Sequence, residues 1–241
     1  MDNDGFELLY QPIVALQGGE EAQYQTLLRL RDDSGRLHTA AQILPLAQRA
    51  NLMVEIDRWV LTHALQVLEQ RRAEHLPVRL FVSQCASTLA EPGEAAWLQA
   101  QLQARRIEGA SLVIELVVDD VSARIEAIKE FCSAMQPFGV KFCLSRFEKG
   151  LEADAVLEQL PVDYLKLATR YLAAAHTPSL RDELRIIVER AHRRGLAVIA
   201  QRVEDAQAAA TLWMSGIDYI QGNLVQHAAG ELDFDFQHAV L

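Results

Sequence analysis

Hydrophobic and polar positions follow two different periods along this chain. Short, nearly continuous apolar runs predict strands, and longer segments with apolar residues three or four positions apart predict helices. The first two predicted strands, 6–16 and 22–30, are separated by a turn with two glycines. Predicted helices at 40–50 and 53–74 follow them. Strands at 78–84, 111–117, 141–147, 164–168, 197–203 and 219–225 then alternate with helices at 94–106, 123–137, 152–160, 180–195 and 205–216.

This order of elements predicts an α/β fold. Strands that are apolar throughout are covered on both faces, and a helix between successive strands indicates a parallel crossover. The first connection is too short for a crossover, so the first two strands are antiparallel. We therefore expect a TIM-like (β/α)8 barrel with one antiparallel strand, and a site at the carboxyl ends of the strands.

Composition narrows the function classes. The 241 residues suit one large domain, and 50% of them are hydrophobic. The net charge of −10 argues against a nucleic acid polymer as partner, although a local cluster of Arg or Lys could still hold a small anion.

No apolar run approaches the ~20 residues needed to cross a bilayer, so membrane insertion is not expected. The three cysteines lack a Cys-x-x-Cys pair, which is typical of reduced thiols in a cytosolic protein. We expect 1–241 to be a single domain excised from a longer multidomain protein.

Polar side chains interrupt the predicted strands near their ends. Burying a polar group without a partner is costly. Each one taken alone could be a satisfied interior group, but a set that converges on one barrel face predicts a binding cavity. The set consists of Gln11, Gln25, Arg29, Ser83, Gln84, Glu115, Ser145, Arg146, Lys166, Gln201, Glu204 and Gln221.

The charges in this set favour an anion over metal ions. Hydrolysis of a phosphodiester by two metals needs several carboxylates, which hold the cations about 3.5–4 Å apart. Only Glu115 is a clear strand-end carboxylate, with Glu204 and Asp163 as helpers at most. Arg146 and Lys166 would repel divalent ions, and the planar guanidinium of arginine suits phosphate. The sequence therefore predicts an anion-binding mouth with no required metal.

Nine sequence motifs follow one another along the chain. They are "YQPIVAL", "YQTLLRL", "ILPLAQRANLMVEIDRWVL", "LFVSQCASTL", "VIELVVDD", "GVKFCLSRF", "VDYLKL", "VIAQRVED" and "GIDYIQGNLV". In this order they resemble the EAL domain family of bacterial cyclic di-GMP phosphodiesterases. The resemblance extends from about Phe6 to about Val225 and implies a TIM-like barrel with one reversed strand.

The resemblance also implies metal-binding residues that this chain has replaced. The Glu-Ala-Leu signature reads Gln25-Thr26-Leu27, and the central Asp-Asp pair reads Ser145-Arg146. The metal-binding Asn falls on Ser83, and the first acid of the Glu-Gly-Val-Glu segment falls on Gln201. The loop after the Asp-Asp pair is rich in Gly and Ser in active members and here reads "EKGLEAD". The positions that keep the family residue are Glu115, Lys166, Glu204 and Gln221.

Positions that hold the nucleotide in the family are largely present. The resemblance implies that Arg29 binds one phosphate, and in a non-catalytic receptor we expect the cationic Arg146 to approach the other. It implies that the Asp57 carboxylate accepts hydrogen bonds from a guanine edge, a bidentate match. The remaining ligand-binding positions implied in the same way are Gln11, Pro12, Leu28, Pro45, Glu115, Lys166, Glu204 and Gln221.

This combination is similar to the degenerate EAL domains of FimX-type proteins. Those domains are cyclic di-GMP receptors in type IV pilus assembly and twitching motility, and they act with a PilZ-domain partner. The resemblance implies a non-catalytic cyclic di-GMP receptor with no cofactor, in the bacterial cytoplasm and with the pilus machinery at the cell pole. Two alternatives stay open: a ligand-independent interaction scaffold, and a phosphodiesterase with an altered site.

Overall fold

A barrel of strands, most of them parallel, forms the centre of the molecule. The computed structural model describes residues 5–19 and 21–238. The strands are β1 Phe6–Ala15, β2 Gln23–Arg31, β3 Leu37–Thr39, β4 Arg79–Ser83, β5 Leu112–Val117, β6 Lys141–Phe147, β7 Tyr164–Leu167, β8 Ala197–Ala200 and β9 Tyr219–Gln221.

The order of pairing closes the sheet. Neighbours follow the order β1-β9-β8-β7-β6-β5-β4-β2, and pairing between β1 and β2 completes an eight-stranded barrel. The short β3 lies outside the barrel, antiparallel to β2. Strand β1 is antiparallel to both of its neighbours, and all other neighbours in the barrel are parallel. The predicted TIM-like barrel with one antiparallel strand is confirmed.

Helices cover the outside of the barrel. The predicted helices agree with the structure within a few residues, as for 53–74 against Met53–Ala73. Among the described residues, none of the helices is long and apolar enough to cross a bilayer. The helices are α1 Ala40–Arg49, α2 Met53–Ala73, α3 Ala86–Leu89, α4 Glu94–Arg105, α5 Val118–Ser122, α6 Ile125–Met135, α7 Leu151–Gln159, α8 Pro178–Arg193 and α9 Ala206–Met214, with 3₁₀ turns at Gly109–Ser111, Gln136–Phe138 and Thr169–Ala175.

Two kinds of element differ from the sequence prediction. The prediction missed β3, α3 and α5, because elements of three to five residues are too short to show a period. The last two strands are shorter than predicted, since β8 ends at Ala200 and β9 at Gln221. Beyond these ends the two segments bond to each other through Val203, Gln221 and Leu224 and no longer continue as strands.

The barrel interior has two layers. Side chains two residues apart on a strand lie on the same face. One layer is apolar and consists of Ile13, Phe81, Val113, Cys143, Tyr164 and Ile199. The residues two positions closer to the mouth form what we call the polar layer: Gln11, Gln25, Ser83, Glu115, Ser145, Lys166, Gln201 and Gln221.

Candidate ligand-binding site

A cavity of about 760 Å³ opens at the carboxyl ends of the parallel strands. This volume lies within the range of about 300–1,000 Å³ that is typical of small-molecule sites. Four members of the polar layer line it: Ser83, Glu115, Ser145 and Gln201. The rest of the lining comes from α1, from the mouth ends of β5 and β6, and from segments that follow the strands, namely Ala40, Ala41, Leu44, Val117, Val118, Asp119, Arg146, Glu148, Lys149, Gly150, Glu152, Ala153, Ala168, Thr169 and Arg202.

Lys166 lies at the centre of the polar layer and is only 1% exposed. Its ammonium is 2.6 Å from Glu115 Oε2 and also donates a hydrogen bond to Gln25 Oε1. The Gln25 amide N–H in turn approaches Ser83 Oγ at 3.4 Å. A buried charge is tolerated only when it is paired, so Lys166 and Glu115 neutralise each other. A divalent cation at Glu115 would have to compete with this ammonium.

The amide groups of Gln11 and Gln221 connect β1 to β9. Gln221 Nε2 donates to Gln11 Oε1 at 2.8 Å, and Gln11 Nε2 donates to the carbonyl oxygen of Gln226 at 3.0 Å. The buried Gln221 Oε1 has no hydrogen-bond partner within the described part of the chain. Pro12 is buried beside Gln11 on the same strand. The structure thus brings the two predicted glutamines together.

The segment after β8 is held against the end of β9. The Val203 N–H donates to the Gln221 carbonyl oxygen at 3.0 Å, and the Val203 carbonyl oxygen accepts from the Leu224 N–H at 3.0 Å. Gly222 makes this approach possible, because a Cβ added there would lie 2.1 Å from the Val203 carbonyl oxygen. On the other side, Gln201 Nε2 donates to the Leu167 carbonyl oxygen at 3.1 Å.

Two arginines of the cavity have left-handed backbone conformations. Arg146 has φ of 55° and Arg202 has φ of 58°, and both side chains are exposed. The pairing of β6 with β7 shifts register between Leu144 and Phe147, so Arg146 sits in a bulge. Bulges beside functional sites re-aim side chains. If side chains alternated strictly along β6 and β8, both arginines would point away from the barrel interior. The bulge in β6 and the turn after β8 bring them to the cavity instead.

Arg202 and Lys149 are cavity residues that the sequence analysis did not identify. Arg202 lies within the predicted strand 197–203, directly after Gln201, and nothing in the strand pattern marks it as a cavity residue. Its left-handed φ distinguishes Arg202 from its neighbours. This conformation is visible only in the structure, where β8 ends at Ala200. Lys149 follows β6 in a loop for which no periodic pattern exists.

Arg29 lies near the mouth end of β2, where it pairs with Thr39 of β3. It is half-buried, and burial lowers the pKa of its guanidinium while the charge of Glu7 raises it. The guanidinium donates to the Leu28 carbonyl oxygen at 2.9 Å, and the Leu28 side chain belongs to the core. Pro45 is exposed on α1, the helix whose first turn lines the cavity.

The Asp57 carboxylate is buried between α2 and α3, with the residue 4% exposed. Its Oδ2 accepts hydrogen bonds from the Cys85 N–H at 3.2 Å and from Thr88 Oγ1 at 2.5 Å. Burial raises the pKa of this carboxyl to about 6. Of the predicted ligand-binding residues, only Glu115 and Arg146 line the cavity. The nucleotide-binding roles of the others stay predictions, including those of Arg29, Asp57 and the exposed Glu204.

The carboxylates around the cavity are dispersed. Glu148 pairs with Arg170 at 3.2 Å, and Glu152 accepts a hydrogen bond from Ser122. No group of three or more His, Cys, Asp and Glu side chains within residues 5–19 and 21–238 is arranged to hold a metal ion.

Comparison with known proteins gives a consistent set of matches. A model of the EAL domain family matches residues 1–228. An uncharacterized 76.5 kDa protein of Thiocystis violacea is 34% identical over 98% of this chain and 33% of its own length. The cyclic di-GMP phosphodiesterase PdeF of Escherichia coli is 25% identical over 93% of this chain and 30% of its own length. This chain therefore spans about a third of the length of these relatives.

Among solved structures, one similar chain is the FimX EAL domain of Pseudomonas aeruginosa bound to c-di-GMP. The two chains superpose with a TM-score of 0.89 and are 29% identical. The match covers 96% of this chain and 94% of the FimX domain.

Proposed function

Because this chain belongs to the EAL domain family, we propose that it is a non-catalytic receptor for cyclic di-GMP. One observation carries the proposal: Glu115 is the one carboxylate among the eight residues of the polar layer, and the Lys166 ammonium lies 2.6 Å from its Oε2. The carboxylate retained at the polar layer is thus already neutralised by the chain itself. The resemblance places family metal ligands at Gln25, Ser83, Ser145, Arg146 and Gln201, where this chain supplies neutral or cationic groups.

Two further features support cyclic di-GMP as the ligand. The cavity is large enough for a dinucleotide-sized molecule, and the FimX domain that this chain resembles at 29% identity is bound to c-di-GMP. In the proposed complex, Arg29 binds one phosphate and Asp57 accepts from a guanine edge. Binding requires no divalent metal, because arginine side chains supply the positive charge.

Calorimetric titration with cyclic di-GMP in EDTA tests this proposal. We expect binding to the wild-type protein, and we expect Arg29→Ala to abolish the heat. Arg31→Ala is the matched control, because Arg31 lies on the same strand but is exposed and paired with Glu7 at 2.7 Å. Absence of binding to the wild-type protein would favour the interaction scaffold and overturn the receptor.

Hydrolysis is the second test. We expect no conversion of cyclic di-GMP to linear pGpG with Mg²⁺ or Mn²⁺, because one neutralised carboxylate does not anchor two metal ions. The phosphodiesterase PdeF serves as positive control for the assay. Metal-dependent turnover by this protein, abolished by Glu115→Gln, would replace the receptor with an enzyme.

We also propose that the receptor acts in the bacterial cytoplasm with a PilZ-domain partner, in type IV pilus assembly and twitching motility at the cell pole. This part rests on the resemblance to FimX-type domains. A pull-down with a PilZ-domain protein, with and without cyclic di-GMP, tests whether the two proteins associate. Capture that depends on the nucleotide supports the pathway, and no capture in either condition contradicts it.

A further inference from the structure

Arg146 and Arg202 share three properties that single them out among the cavity residues. Both line the same cavity, both are exposed, and both have φ between 55° and 58°. This left-handed region is unfavourable for a residue with a Cβ. Such residues persist where the surrounding structure fixes them, and they concentrate at ligand sites.

Hydrogen bonds of both neighbouring residues restrict the movement of Arg202. Gln201 donates through its side-chain amide to the Leu167 carbonyl oxygen, and Val203 donates through its backbone N–H to the Gln221 carbonyl oxygen. Residue 202 therefore has little freedom to leave the left-handed region. The strain is imposed by the ends of β7 and β9, and its effect is to hold one cationic side chain at the cavity.

The charges around the cavity are unequally satisfied. Glu115 is paired with Lys166, and Glu148 is paired with Arg170. The Arg146 and Arg202 guanidinium groups have neither an ion pair nor a side-chain hydrogen bond with any residue that the structure describes. Unpaired guanidinium groups at the mouth of a cavity attract an anion with several acceptor oxygens.

We propose that Arg146 and Arg202 form a phosphate clamp, which provides the positive charge at a phosphodiester of the bound cyclic dinucleotide. The clamp rests on the proposed receptor function and adds Arg202 to it. Each guanidinium donates N–H groups to non-bridging phosphate oxygens, the interaction for which its planar geometry is suited. The bulge of β6 and the turn after β8 hold both side chains at the cavity before the ligand arrives.

Arg202→Gly separates this role from a structural one. Glycine accepts the left-handed conformation without a steric cost, so we expect a melting temperature no lower than that of the wild-type protein. Loss of a charge-assisted contact should weaken cyclic di-GMP binding in EDTA about tenfold to a hundredfold. Arg202→Gln, which keeps much of the side chain but not the charge, should weaken binding to a similar extent.

Arg106→Gly is the matched control. Arg106 follows α4, is exposed, has φ of 52° and does not line the cavity. We expect this variant to bind cyclic di-GMP like the wild-type protein.

The outcomes distinguish the clamp from the receptor. Absence of binding by the wild-type protein would refute the receptor function itself. Wild-type binding that stays within twofold in either Arg202 variant would overturn the clamp and leave the receptor intact. Equal weakening of cyclic di-GMP binding by Arg106→Gly would also overturn the clamp. The effect would then come from replacing a left-handed arginine by glycine at any position, and not from losing a charge at the cavity.

Discussion

Lys166 and Glu115 form a buried ion pair in the polar layer. Each is less than 10% exposed, and their charged atoms are 2.6 Å apart. Isolated buried charges are costly, whereas a paired charge with additional hydrogen bonds is tolerated. Lys166 gains such a bond from Gln25. The pair therefore leaves neither of these two buried charges without a partner.

Replacing Lys166 with Met should lower the free energy of unfolding by about 3–5 kcal/mol, because Glu115 would remain buried without a counter-charge. Urea denaturation measures this loss. The double variant Glu115→Gln/Lys166→Met should recover part of it. Lys141→Met is the control: Lys141 pairs with Asp163 at 2.8 Å in a partly exposed position, where we expect a change of about 1 kcal/mol or less. Equal losses in the two single variants would contradict the buried-pair argument.

The buried Asp57 carboxyl predicts that the stability of the protein depends on pH. Burial raises its pKa to about 6, above the value of about 3.9 for an unfolded chain. The folded state therefore binds this proton more tightly, so the contribution to stability is complete below about pH 4 and is lost as pH rises through about 6.

Asp57→Asn should remove this dependence, since an amide oxygen can still accept from Cys85 and Thr88. Relative to the variant, the wild-type protein should lose on the order of 2–3 kcal/mol of unfolding free energy between pH 4 and pH 7. Chemical denaturation across this range gives the comparison. Parallel stability curves for the two proteins would show that Asp57 titrates normally.

At the scale of elements, the close contact between the segment after β8 and the end of β9 shapes the mouth. Gly222 allows the two backbones to approach, and Val203 bonds to both Gln221 and Leu224. This contact ends β8 early and turns Arg202 toward the cavity. The same contact explains why the predicted strands 197–203 and 219–225 are longer than the observed ones.

Gly222→Ala should destabilise the protein by about 1–3 kcal/mol, because its Cβ would lie 2.1 Å from the Val203 carbonyl oxygen and one backbone must move. Gly230→Ala is the control, since nothing lies within 4 Å of an added Cβ there. Thermal unfolding and a cyclic di-GMP titration should both report the change at Gly222. A Gly222 variant as stable as the control would mean that the two segments can separate at no cost.

At the scale of the whole molecule, the proposed ligand contacts residues from strands far apart in the sequence. A ligand that binds only the folded barrel stabilises it by mass action. At a free concentration of 100 times its dissociation constant, cyclic di-GMP should add about 2.7 kcal/mol, which corresponds to about 5–10 °C in melting temperature. We expect this shift in EDTA for the wild-type protein and none for Arg29→Ala. A shift that appears only when Mg²⁺ is added would indicate a metal-dependent site.

The sequence by itself determined the barrel, because apolar runs, helical periods and one short connection are local signals that survive without tertiary contacts. It also determined most of the polar layer, since residues such as Glu115 and Lys166 interrupt apolar strands at their mouth ends. Only the tertiary structure decided which of these groups neutralise one another. It also decided that Arg202 faces the cavity and that the Asp57 carboxylate is held by Cys85 and Thr88. These outcomes depend on a bulge, a left-handed residue and contacts between distant segments, none of which has a periodic signature in the chain.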